Sequence, residues 1–122
     1  HMDPGFLQEV LFEGGSVPVD TLRAGAGNGA AALFRGTALR EAAELGEAAV
    51  KGGSLTAFEK ACDNAVLKTA AGARRVPFGV EVALGYLIAK EAEWTAVRIV
   101  MAGRLAGLSA DAIRERLRDA YV

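Results

Sequence analysis

Apolar residues return at intervals of three and four along most of this chain, and Gly-rich or polar breaks cut the pattern into a series of helical segments. Phe6, Leu7, Val10 and Leu11 predict a first helix over Asp3 to Glu13, with Asp3 as its cap, Pro4 in its first turn and Gly14-Gly15 as its end. Pro18 opens a short segment through Leu22, Gly25-Ala26-Gly27-Asn28-Gly29 makes a flexible turn, and Ala30 to Phe34 gives a further helical turn or two. Thr37 is placed to cap a helix from Ala38 to Lys51. The terminal lysine suits the negative end of the helix dipole, and Gly52-Gly53 supplies the stop.

The strongest start signal is Thr56 followed by Glu59, a capping box with Ser54 as a competing cap, ahead of the stripe Phe58, Ala61, Cys62, Ala65, Val66 and Thr69. Gly72 closes that helix. Arg74-Arg75-Val76-Pro77-Phe78-Gly79 is a connector, because Pro77 drives Val76 out of helical geometry. A long helix follows over about 80–103. Ser109 then caps the last helix, Asp111 suits its positive end, Leu108 can staple onto Ile113, and Ile113, Leu117, Ala120 and Tyr121 form its apolar side. The expectation is an all-α protein, a compact bundle of about five to six helices with one long central helix. Residues 3–122 form a single domain, and His1-Met2 reads as a remnant of expression. There is no internal repeat at a solenoid period.

Composition agrees with helices. Among 122 residues, 15 Gly and 3 Pro accompany abundant Ala, aromatics are 7%, and Ile and Thr are few, so little material remains for a sheet. Fourteen Lys plus Arg against 15 Asp plus Glu leave a net charge of −1, which provides no basic field to hold nucleic acid and no acidic excess typical of a disordered tail. His1 and Cys62 are single in their kinds, so neither an internal disulfide nor a His/Cys zinc site is expected, as suits a cytosolic chain. No charged segment leads into a signal-like apolar run, so secretion is not indicated. Val80 to Ala102 is the most apolar stretch, but Glu81, Lys90, Glu91, Glu93 and Arg98 interrupt it. A central Asp, Lys or Arg costs roughly 2.5–3.5 kcal/mol, against roughly 0.3–0.6 kcal/mol returned by a good apolar residue. The expectation is therefore a soluble, buried helix.

Candidate chemistry is sparse. Gly25-Ala26-Gly27-Asn28-Gly29-Ala30 has the spacing of a dinucleotide fingerprint, yet no strand precedes it and no Gly-Lys-Ser/Thr element accompanies it. A loop between helices is the commoner meaning of such a run. Glu59 and Asp63, one turn apart, can be read as paired carboxylates or as part of a solvated face. Cys62 sits on the apolar stripe without a histidine partner, as a small core residue does. Arg104, Arg114, Arg116 and Arg118 loosely suggest a helix-turn-helix, but Asp111, Glu115 and Asp119 interleave with them, which favours a salt-bridged solvated face. No catalytic set, cofactor site or metal site is expected.

Tyr86, Lys90, Glu91, Glu93 and Arg98 form the most informative group, embedded in the long apolar helix. Leu84, Leu87, Ile88, Glu91, Thr95, Arg98 and Met101 fall on one stripe, which puts Glu91 and Arg98 on the side expected to carry core residues. Charges there must be paired or must face a partner. Two readings follow: an ion-pair network that fixes helix register, or a docking surface for another protein. Trp94 is open to either a core or an interface role.

Residues 58–122 resemble a known family. Phe78-Gly79-Val80-Glu81, Gly85-Tyr86-Leu87, Ala89-Lys90-Glu91-Ala92-Glu93, Val97-Arg98-Ile99-Val100, Gly103-Arg104-Leu105-Ala106-Gly107-Leu108 and Ile113 to Val122 are similar to the C-terminal end of the C subunit of V-type and archaeal-type rotary ATPases, whose eukaryotic counterpart is the d subunit. Phe58-Glu59 with Asp63, and Gly14-Gly15, fit more loosely. Trp94 and Ala96 depart from the pattern, which leads one to expect a small apolar residue and an Asn.

The resemblance implies the last third of a longer protein built from three similar helical domains arranged as a funnel. It implies no active site and no cofactor. It implies a cytoplasmic, peripheral place on a membrane, where the protein is a socket between the central rotor shaft and the proteolipid ring and couples ATP chemistry to ion transport. The partners would be the central shaft subunits and that ring, with no nucleic acid. A stand-alone helical adaptor is the alternative reading, and a nucleotide-binding enzyme using the Gly25 to Ala30 loop is a third.

Overall fold

The computed structural model describes residues 6, 9–25 and 29–119. Six α-helices and one 3-10 turn follow one another among these residues, without a strand. They are α1 (Val19–Gly25), α2 (Ala30–Leu33), α3 (Arg40–Val50), α4 (Leu55–Ala71), the 3-10 turn (Gly72–Arg75), α5 (Val80–Leu105) and α6 (Ala110–Arg116). Phe6, Glu9 and Val10 are also helical, but the helix gives way at Leu11, short of the predicted Glu13. Asp3, Pro4 and Leu7, expected in that helix, lie outside the described residues, as do Ala26 to Asn28 of the Gly-rich turn and Ala120 and Tyr121.

The Gly52-Gly53 stop acts as read, and Gly107 closes the long helix in the same way. After α3, Gly53 N–H donates to Ala48 O at 2.8 Å and Gly52 N–H to Ala49 O at 3.0 Å, with Gly52 at φ +97°. After α5, Leu108 N–H donates to Gly103 O at 2.9 Å and Gly107 N–H to Arg104 O at 3.1 Å, with Gly107 at φ +69°. Both are Schellman closures, and both need a residue without a Cβ at the left-handed position. α5 consequently runs two residues past Gly103.

The start signals are less uniform. Ser109 caps α6 by accepting Ala112 N–H at 3.2 Å, as expected. At α4 the competing Ser54 is the cap and accepts Ala57 N–H at 3.2 Å. Its extended backbone directly follows the Gly52-Gly53 closure, so the helix starts at Leu55 and Thr56 falls inside the first turn. Thr37 does not cap α3: its hydroxyl donates to Phe34 O at 2.9 Å and accepts Leu39 N–H at 3.1 Å, a local turn that delays the helix to Arg40. Gly72 does not end the helical path either, since its αR backbone carries the chain on into the 3-10 turn. Val76 is then extended, as Pro77 requires.

Packing is largely between neighbours in the chain. α1 meets α2, α2 meets α3, and α3 meets α4, which also contacts α5, α6 and the 3-10 turn. Glu47 of α3 reaches back to accept Ala31 N–H at 2.7 Å, placing a carboxylate at the positive end of α2. The extended segment after α6 is strapped onto α4, where Arg118 Nε donates to Asp63 Oδ2 at 2.6 Å and Asp119 N–H to Asn64 Oδ1 at 2.9 Å.

The interior is made of small groups. Val19, Ala42, Ala43, Leu67, Ala89 and Ile113 are the buried apolar residues, joined by Gly25, Gly85 and Gly103. Gly103 is in such close approach that a Cβ there would lie 2.6 Å from Ile113 Cγ1. The long helix is not buried, contrary to its hydropathy: only Gly85, Ala89 and Gly103 of its 26 residues are. No helix of the described residues is long and apolar enough to cross a membrane.

Candidate interaction surface on the long helix

Helical geometry divides α5 into three faces. The inner one carries Gly85, Ile88, Ala89, Ala92, Thr95, Ala96, Ile99 and Gly103, all buried or half-buried. It packs against α4, α6 and the 3-10 turn. Small side chains let these backbones approach closely, which explains why the expected core stripe is displaced: of its seven residues only Ile88 and Thr95 are half-buried, while Leu84, Leu87, Glu91, Arg98 and Met101 are exposed.

A second face presents Tyr86, Lys90 and Glu93. Lys90 Nζ donates to Glu93 Oε2 at 2.8 Å, and the same ammonium lies 5.8 Å from the centre of the Tyr86 ring, within cation–π range. The Glu93 carboxylate, by hydrogen bond and by charge, raises the Lys90 pKa above its ordinary value, with a smaller contribution from Tyr86. With Val82, Ala73 and Arg74 these three side chains edge a shallow groove of about 310 Å³ between α5 and the 3-10 turn. Three of the five predicted site residues are thus brought together.

Glu91 and Arg98 are not. They stand on the third face, exposed, with neither a salt bridge nor a hydrogen bond among the described residues. Around them lie Val80, Leu84, Leu87, Trp94, Met101 and Leu105, each more than half exposed. Leu105 reaches 88% and Trp94 69% exposure, so Trp94 is not a core residue of this chain.

The other candidates resolve individually. Asp63 is held by Arg118, whereas Glu59 is exposed, so the two do not form a shared acid–base pair. Arg114 pairs with Asp111 at 2.7 Å on the face of α6, as a salt-bridged solvated face would have it. Gly25 closes a helix and packs against Leu33, so the Gly-rich loop lacks the strand that a dinucleotide site needs. Burial, followed by the charges of Asp63 and Glu59, pushes the Cys62 thiol pKa up, the opposite of an activated nucleophile. No group of three His, Cys, Asp or Glu side chains suited to a metal is present among the described residues.

The surface suits adhesion to another macromolecule: a polar face with an ordered cation beside an apolar face with two unpaired charges. No curated protein and no solved structure matches the chain. The family model of the ATP synthase (C/AC39) subunit does match, over residues 2–116, and the chain belongs to that family.

Proposed function

We propose that this chain is the C-terminal third of a central-stalk socket protein in a V/A-type ATPase, a non-catalytic part that joins the rotor shaft to the proteolipid ring. The family match over residues 2–116 carries the reading, because it spans nearly every described element. Rigid helix contacts and exposed adhesive faces support it: torque transfer asks for stiffness and binding rather than bond chemistry. In this reading the chain sits on the cytoplasmic side, held to the membrane only through its complex, and the Tyr86–Lys90–Glu93 face contributes to partner binding.

Immobilised shaft subunits of a rotary ATPase should retain the natural polypeptide that contains this sequence. A Lys90→Glu variant, which reverses the ordered cation, should be retained less. Absence of retention for the unaltered polypeptide, with shaft subunits that bind one another normally, would overturn the proposal.

A further inference from the structure

Between α4, α5 and the extended segment after α6 lies a groove of about 220 Å³. Val66 from α4 and Ile88 and Ala92 from α5 give it apolar walls, and three charges line it: Asp63, Glu91 and Arg118. Val66 is 54% exposed, so the fold leaves that wall open.

The charges do not cancel. Arg118 Nε donates to Asp63 Oδ2 at 2.6 Å and its Nη1 to Arg116 O at 2.6 Å, which commits the guanidinium to holding its own segment on α4. Glu91 has neither an ion pair nor a hydrogen bond among the described residues, so two carboxylates against one guanidinium leave one negative charge in the groove. The groove on the other flank of α5 has the opposite balance, Arg74 and Lys90 against Glu93.

Size narrows the occupant further. One turn of helix, a cylinder about 10 Å wide and 5.4 Å long, fills roughly 420 Å³, more than the groove holds. The space suits a single long side chain, apolar along its stem and cationic at its tip. Arginine answers that description better than lysine: its stem lies along apolar surface, its planar fork engages carboxylate oxygens in pairs, and it is the more weakly hydrated cation. Thr95 is the one other polar side chain lining the groove among the described residues, which leaves nothing to hold the charged main chain of free arginine.

We propose that this groove receives an arginine side chain of a partner protein, the guanidinium at Glu91 and the stem against Val66, Ile88 and Ala92. The site is separate from the Tyr86–Lys90–Glu93 face and does not depend on the rotary-ATPase reading.

Methyl NMR of the full chain, titrated with N-acetylarginine methylamide, tests this, with N-acetylcitrulline methylamide as the uncharged isostere. The arginine probe should shift the Val66 and Ile88 methyls saturably and bind about tenfold or more tighter than the citrulline probe. Glu91→Gln should bring its affinity down to the citrulline level. Glu81→Gln, on the same helix but outside the groove, should change nothing. Both glutamates are exposed, so circular dichroism should show unchanged helicity in the variants. Free arginine should bind no tighter than the blocked residue. No saturable shift at those methyls, equal binding of the two probes, or indifference to Glu91→Gln would each overturn the proposal. Tighter binding of free arginine would also overturn it and make the groove a small-molecule site.

Discussion

Replacing Gly103 by Ala opposes two effects of known size at one buried point. Ala gains about 1 kcal/mol over Gly in a helix interior. Against this, the new Cβ would lie 2.6 Å from Ile113 Cγ1 and 3.0 Å from Cδ1. Cγ1 belongs to a β-branched side chain with little rotamer freedom, and Ile113 is only 7% exposed, so it cannot swing into solvent. Overpacking of this kind costs about 1–3 kcal/mol. The clash outweighs the propensity, and Gly103→Ala should lose about 1 kcal/mol, or about 4 °C in Tm. Gly72→Ala is the control: nothing lies within 4 Å, φ is −59°, and the substitution should gain about 0.5–1 kcal/mol. A double-mutant cycle isolates the contact. Ile113→Ala alone should cost about 2–5 kcal/mol. In that background Gly103→Ala should turn stabilising, giving a coupling of about 2 kcal/mol. Urea unfolding followed by far-UV circular dichroism reads all four proteins. Additive effects, or a Gly103→Ala protein as stable as Gly72→Ala, would refute the close-packing argument.

Other expectations follow from individual contacts. Arg118→Ala should lose about 1 kcal/mol, because the arginine side chain is only 17% exposed and holds Asp63 at 2.6 Å, and amide exchange should quicken at residues 117–119. Lys90 has a folded pKa above its unfolded value of 10.5, so its pairing with Glu93 stabilises the protein below that pH and is lost as pH rises through the folded value. Glu93→Gln should bring the Lys90 titration, followed by NMR, back toward the ordinary midpoint. Cys62 should alkylate slowly at neutral pH and rapidly once the protein is unfolded, with Glu59→Gln giving only a small acceleration because burial is the leading cause of the raised pKa.

Local signals were legible in the sequence because the atoms involved are close along the chain. Ser109 and the glycines at 52–53 act within one turn of their helices. Where two residues competed for one role, as Ser54 and Thr56 did, the preceding turn decided, and composition alone does not encode that turn's backbone. The Glu47 cap of α2 and the Arg118–Asp63 clasp bridge 16 and 55 residues, distances at which no periodicity signals a contact. The long helix misled for a different reason. Hydropathy ranks Leu84, Leu87 and Met101 above Gly85, Ala89 and Gly103 as core material, yet close helix packing selects for small volume. The five candidate residues therefore divide between two faces of one helix, with Glu91 and Arg98 apart from Tyr86, Lys90 and Glu93.

The Gly–Ala seam of α5 also sets how this fold deforms under load. Long side chains between helices act as springs, because rotamer changes let one backbone slide past another. At Gly85, Ala89 and Gly103 there are no rotamers to change, and Ile113 rests almost on bare backbone. Shear along this contact has to bend helices or open a gap, both of which are steep in energy. The seam is thus a stiff joint whose compliance is that of the α-helix itself.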